Sequence, residues 1–128
     1  MDFFIQVLVT LLIFTLVDLV WLVKVAPKLY RKYIGHLMSD RVNIAAAALF
    51  YVVFIVGLVY FVVGPNMNNP WMAFLSGAMF GLVTYATYDL TNLATLKAWP
   101  ITITVIDLIW GTLVTAVTSG LVVLLIGG

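Results

Sequence analysis

Residues 85–100 read YATYDLTNLATLKAWP. The stretch begins inside a strongly apolar segment and ends at a Trp-Pro pair, yet it carries Asp89, Asn92, Lys97 and a run of hydroxyls. Read as the closing turns of a membrane span, it makes the chain a four-span protein. An ionisable residue inside a span is expensive and is by default a functional-site hypothesis.

Composition agrees on the solvent. The chain has 128 residues, 65% hydrophobic and 9% charged, with a mean hydropathy of +1.21. A soluble domain of this size would carry roughly a quarter charged residues. With no cysteine, disulfides, thiolate nucleophiles and Cys metal sites are excluded. The first apolar run lacks a basic leading region and opens with Asp2, so it reads as a retained span rather than a signal peptide.

Working outward, about 20 apolar residues cross a hydrocarbon core as a helix, and the chain offers four such runs. Spans are expected at about 3–25, 42–63, 71–95 and 100–126, as one membrane domain over 1–128. Pro27 breaks or redirects the first. In the interfacial segment 27–38, Leu29, Tyr30, Tyr33, Ile34 and Leu37 recur at helical spacing away from Lys28, Arg31 and Lys32. That predicts a short amphipathic helix on the membrane surface, followed by Ser39 or Asp40 as the next N-cap. The Ala45–Ala48 run lets a neighbour approach closely, and Gly64-Pro65 ends span two. Asn69 and Pro70 occupy N-cap and N1 positions for span three. Ala73, Gly77 and Gly81, spaced by four, form a small-residue packing stripe. It reads as internal packing ahead of a dimer seam, with homo-oligomer formation left open. Trp71 and Trp99 read as interface anchors. The fold class expected is therefore all-α, an integral membrane four-helix bundle with an amphipathic interfacial helix between spans one and two.

Every lysine and arginine (Lys24, Lys28, Arg31, Lys32, Arg41, Lys97) falls on the face shared by the one-two and three-four connections. Positive residues mark the cytoplasmic side, so both termini are expected outside the cytoplasm.

Asp18, Asp89 and Asp107 then share one depth on three helices, roughly 10 Å inside the cytoplasmic boundary at 1.5 Å per residue. Each would cost about 2.5–3.5 kcal/mol at the bilayer centre, less at this depth, which turns them toward the bundle interior. Tyr85, Asp89 and Asn92 share a helical face, with Tyr88 beside it. Trp21 neighbours Asp18, and Trp110 neighbours Asp107. Lys97 is the cation best placed to reach inward along its stem. The expected site is a cytoplasm-facing polar pocket of Asp18, Trp21, Tyr85, Tyr88, Asp89, Asn92, Lys97, Asp107 and Trp110, walled by aromatic rings. The competing view makes these groups interhelical glue, worth about 1 kcal/mol or less per contact. The strings LVDLVW (16–21) and VIDLIW (105–110) lie at one depth on opposed helices, which argues for convergence on an Asp layer and against an inverted repeat.

No nucleophile elbow, P-loop, zinc motif or second histidine appears, so no catalytic or metal residue is assigned and no cofactor is indicated. Nothing points to nucleic acid; the basic residues belong to topology and membrane lipid.

The string YDLTNLATLKAWP, with Asp18-x-x-Trp21 and IDLIWG at 106–111, resembles an uncharacterised family of small bacterial inner-membrane proteins, domain of unknown function 2177, over essentially the whole chain. The resemblance implies a four-span inner-membrane protein. Genes for fatty-acyl-chain-modifying enzymes beside its relatives imply a lipid-linked role. Three functions follow in order of preference. The first is an accessory protein binding lipid or another amphiphile. The second is a small cation or proton-coupled transporter, disfavoured as a dual-topology exporter by the charge bias. The third is a membrane-embedded enzyme.

Overall fold

Pro27 does not break the first helix. In the computed structural model, which describes residues 2–39 and 41–128, α1 (Phe3–Val20) runs through a π-turn at Trp21–Val25 into α2 (Ala26–Ile34). A final 3-10 turn, Gly35–Leu37, makes one helix of 35 residues. A proline in a helix lacks an N–H and crowds the carbonyl four residues earlier. The wide turn immediately before Pro27 absorbs both problems without ending the helix. At about 50 Å this helix exceeds a hydrocarbon core of about 30 Å. α2 is its amphipathic extension, with Lys28, Arg31 and Lys32 exposed and Leu29, Tyr30, Tyr33 and Ile34 half-buried.

The second long helix is α3 (Ile44–Leu58), prolonged by a π-turn at Val59–Val63 and a 3-10 turn at Gly64–Asn66. Its cap is Asn43, whose side chain accepts from the Ala46 amide at 3.0 Å. The expectation placed this cap at Ser39 or Asp40. Ser39 is instead taken up in a local turn, its hydroxyl donating to the Arg41 carbonyl at 2.7 Å, and Asp40 lies outside the described residues. The first turns of α3 also differ from expectation. Ala45–Ala48 are exposed, so none of the described helices closes on them, and this end of α3 stands away from the bundle.

α4 (Pro70–Thr95) and α5 (Ile101–Ile126) are 26 residues each. Asn69 caps α4 from the N-cap position, accepting from the Met72 amide at 3.1 Å, with Pro70 at N1. The small-residue stripe is an internal seam. Gly77 sits on the Ser119 side chain and the Thr115 carbonyl, and Gly81 on the Gly111 carbonyl and Thr115. Gly111 in turn is covered by the Tyr85 ring. Three glycines thus let two backbones approach to a separation that any Cβ would prevent.

The described residues hold helices and no strands, and three of the long helices are both long and apolar enough to cross a membrane: Phe3–Leu37, Ile44–Asn66 and Ile101–Ile126. α4 matches α5 in length, but its Ser, Thr, Tyr, Asp and Asn residues make it less apolar. α5 is the central helix, buried on several sides from Ile103 to Val123. The apolar core fills the end of the bundle that holds the N-terminus of α1. It is built from Phe54, Ile55, Leu58, Val59, Val62 and Val63 around Ala73, Val114, Val122 and Val123. The opposite end carries all six lysines and arginines, every one exposed.

Candidate functional site

The buried stripe of α1 is Gln6, Thr10, Phe14 and Asp18, spaced by four, so one helical face delivers Asp18 to α5. There the Trp110 indole donates to Asp18 at 2.9 Å. Trp110 lies flat on Trp21, centroids 4.8 Å apart and planes 9° from parallel. Trp21 meets the Tyr30 ring edge-on at 6.4 Å. Tyr30 donates to Asp107. The tyrosine leans toward its own N-terminus, and with the wide turn before Pro27 this lets α2 reach back into the bundle. The two Asp-x-x-Trp strings are thereby joined: Trp110 of one bonds Asp18 of the other, and Trp21 packs against the tyrosine that donates to Asp107.

Asp89 comes from α4 and is 0% exposed. Its carboxyl group stands beside that of Asp107, 5% exposed. Both Asp89 oxygens lack a hydrogen-bond donor among the described residues. Two acceptors facing one another make no hydrogen bond by themselves. An unsatisfied buried acceptor costs about 1–3 kcal/mol, more if charged. Tyr85 lies within electrostatic reach of Asp18, Asp89 and Asp107.

A cavity of about 540 Å³ opens over this pair. Asp89, Asp107, Thr84 and Tyr85 form its inner end, Tyr30 and Ile34 of α2 one wall, and Tyr88 with Trp99 another. Met38 and Phe50 flank the side toward α3. The gap exists because the first turns of α3 stand off. Phe50, Met38 and Tyr88 are exposed at its rim. Trp99 is not the interface anchor expected: it is 8% exposed, meets Tyr88 edge-on at 5.9 Å and donates to the Thr104 hydroxyl at 3.1 Å. Its indole N–H finds that acceptor one turn into α5, which draws the ring inward.

Of the nine residues expected at the site, Tyr85, Tyr88, Asp89 and Asp107 line the cavity. Asp18, Trp21 and Trp110 form the adjoining hydrogen-bonded stack. Asn92 is half-buried beside Tyr88 and does not line the cavity. Lys97 is exposed in the α4–α5 turn, also outside the lining. Tyr30, Ile34, Met38, Phe50, Thr84 and Trp99 were not assigned to the site from sequence. Among the described residues no cluster of metal-ligating side chains occurs.

The profile of a family described as "Predicted membrane protein (DUF2177)" matches residues 3–124. The chain belongs to this family. DUF2177 is thereby the frame for the whole helical unit, since the match covers α1 to α5 almost completely. No curated protein and no solved structure matches the chain.

Proposed function

We propose that this DUF2177 protein is a four-span protein of the bacterial inner membrane, both termini outside the cytoplasm, that binds a lipid or similar amphiphile as an accessory protein. The observation that carries the reading is the form of the cavity. Its outer part is aromatic and apolar, at Phe50, Ile34, Met38 and Tyr88, and its inner end is acidic, at Asp89 and Asp107. A volume of about 540 Å³ lies in the range of small-molecule pockets, about 300–1,000 Å³. The exposed rim on the side of α3 gives an acyl chain a lateral way in from the bilayer. The basic end supports the orientation through the positive-inside tendency.

The test is photocrosslinking in proteoliposomes with a diazirine-bearing fatty amphiphile, followed by peptide mapping. Adducts at Met38, Phe50 or Tyr88 that fall when Thr84→Trp fills the cavity support the reading. Adducts spread evenly over exposed apolar residues, unchanged by Thr84→Trp, reject it.

A second reading, a proton or cation-coupled transporter, is favoured by a separate observation. The buried hydroxyls of Thr10, Thr115 and Thr118 have no hydrogen-bond partner among the described residues. They extend the polar layer away from the aspartates toward the other end of the bundle. Substrate-driven proton flux in liposomes, lost in Asp89→Asn, would establish this role; its absence with intact protein rejects it.

A further inference from the structure

We infer that the cavity selects a primary ammonium group, so that the amphiphile of the proposed function, on which this inference rests, carries an amine head. The inner end is a pair of acceptors with no donor between them among the described residues. Asp89 is fully buried and lines the cavity, and neither of its oxygens receives a hydrogen bond from the described residues. Asp107 beside it takes one from Tyr30. A primary ammonium brings three N–H donors and no acceptor, which is the complement of this surface. Charge-assisted N–H bonds to carboxylates are roughly twice as strong as neutral ones.

The walls point the same way. Tyr30, Tyr85, Tyr88 and Trp99 present rings around the acidic end, and a cation beside aromatic faces is favoured most where water is excluded. No lysine or arginine is among the described residues lining the cavity. A phosphate or carboxylate head would therefore meet two carboxyl groups and no cation. A neutral polyol donates hydrogen bonds to the oxygens but gains no cation–π attraction from the rings. Hydrogen-bond geometry separates primary from quaternary ammonium: the latter has no N–H to give Asp89. A proton shared between the two carboxyl groups would join them without any ligand, and then no head would be preferred.

The experiment is a binding series on purified full-length protein in lipid nanodiscs, read by tryptophan fluorescence and calorimetry. The probes share one chain and differ in head: octylammonium, octyltrimethylammonium, octyl phosphate and octyl glucoside, with methylammonium as the head alone. The expected result is octylammonium bound about tenfold or more tighter than the phosphate and the glucoside, with the trimethyl compound between. Asp89→Asn should remove that preference, and Tyr88→Ala, at the exposed rim, should weaken it where Tyr88→Phe does not. Equal binding of all four heads overturns the ammonium inference and leaves the amphiphile pocket standing. No binding of any octyl compound overturns both. Methylammonium bound as tightly as octylammonium keeps the ammonium site and overturns the amphiphile reading.

Discussion

Trp21 and Trp110 lie face to face, ring centroids 4.8 Å apart and planes 9° from parallel. The stack joins two similar strings on antiparallel helices and crosses their partners. Trp110 donates to Asp18, while Trp21 packs edge-on against Tyr30, which donates to Asp107. Offset aromatic pairs contribute about 0.5–1.5 kcal/mol beyond area burial. The charge-assisted bonds behind them are the larger part of what this layer loses when cut.

Trp110→Phe keeps a ring on the stack and removes the donor to Asp18. We expect a loss of about 1–3 kcal/mol, the cost of a buried acceptor left unsatisfied. Trp21→Phe keeps a smaller ring on the stack and removes no hydrogen bond to a carboxyl group, so it should cost less than about 1 kcal/mol. Thermal unfolding in one detergent, comparing the two variants, gives the order; equal effects would mean the Trp110–Asp18 hydrogen bond contributes nothing.

Gly81→Ala would drive a methyl group against the Gly111 carbonyl and Thr115, where neither can yield cheaply. Overpacking of this kind costs about 1–3 kcal/mol. Gly120→Ala is the control, because its added carbon meets Phe74 at 3.4 Å and the Pro70 carbonyl at 3.7 Å, ordinary contacts. It should be neutral or slightly stabilising through helix propensity, by up to about 1 kcal/mol. Parallel melting curves decide, and a tolerated Gly81→Ala would mean that α4 and α5 are not held at this separation.

Most of the helical architecture was legible because its signals are local. The Asn69-Pro70 cap and the Gly77–Gly81 seam both follow from spacing along one helix. What was not legible depends on how helices tilt. Tyr30 stood on the apolar face of an amphipathic segment, and spacing alone could not distinguish a membrane-facing ring from one turned back to Asp107. The π-turn before Pro27 makes the difference, and a proline announces a distortion without its direction. Trp99 had the same ambiguity: a Trp beside a span end reads as an anchor unless an acceptor such as Thr104 draws it inward. The Ala45–Ala48 run promised close approach, yet small residues permit contact without compelling it. That unfilled approach opens the cavity.

The orientation has its own test. Asn68 and Ser39 are exposed on opposite ends of the bundle. A cysteine at Asn68 should react with an impermeant reagent added to intact cells, and one at Ser39 should not. The reverse labelling would turn the acidic end of the cavity away from the cytoplasm.

Asp89 and Asp107 should act as one unit. Groups in a shared network show interaction energies of about 0.5–3 kcal/mol in double-mutant cycles. Asp89→Asn combined with Asp107→Asn is therefore expected to depart from the sum of the single changes in thermal stability. Additivity would show two independent contacts.

The most direct measurement of the central claim is native mass spectrometry of the protein released gently from its own membrane. The account predicts a bound amphiphile at about one per chain on the unmodified protein, retained at energies that strip detergent. It should be absent or replaced in both Asp89→Ala and Thr84→Trp, while the distant Trp71→Phe keeps it. An unmodified protein that emerges free of ligand, or the same adduct on all four proteins, would contradict it.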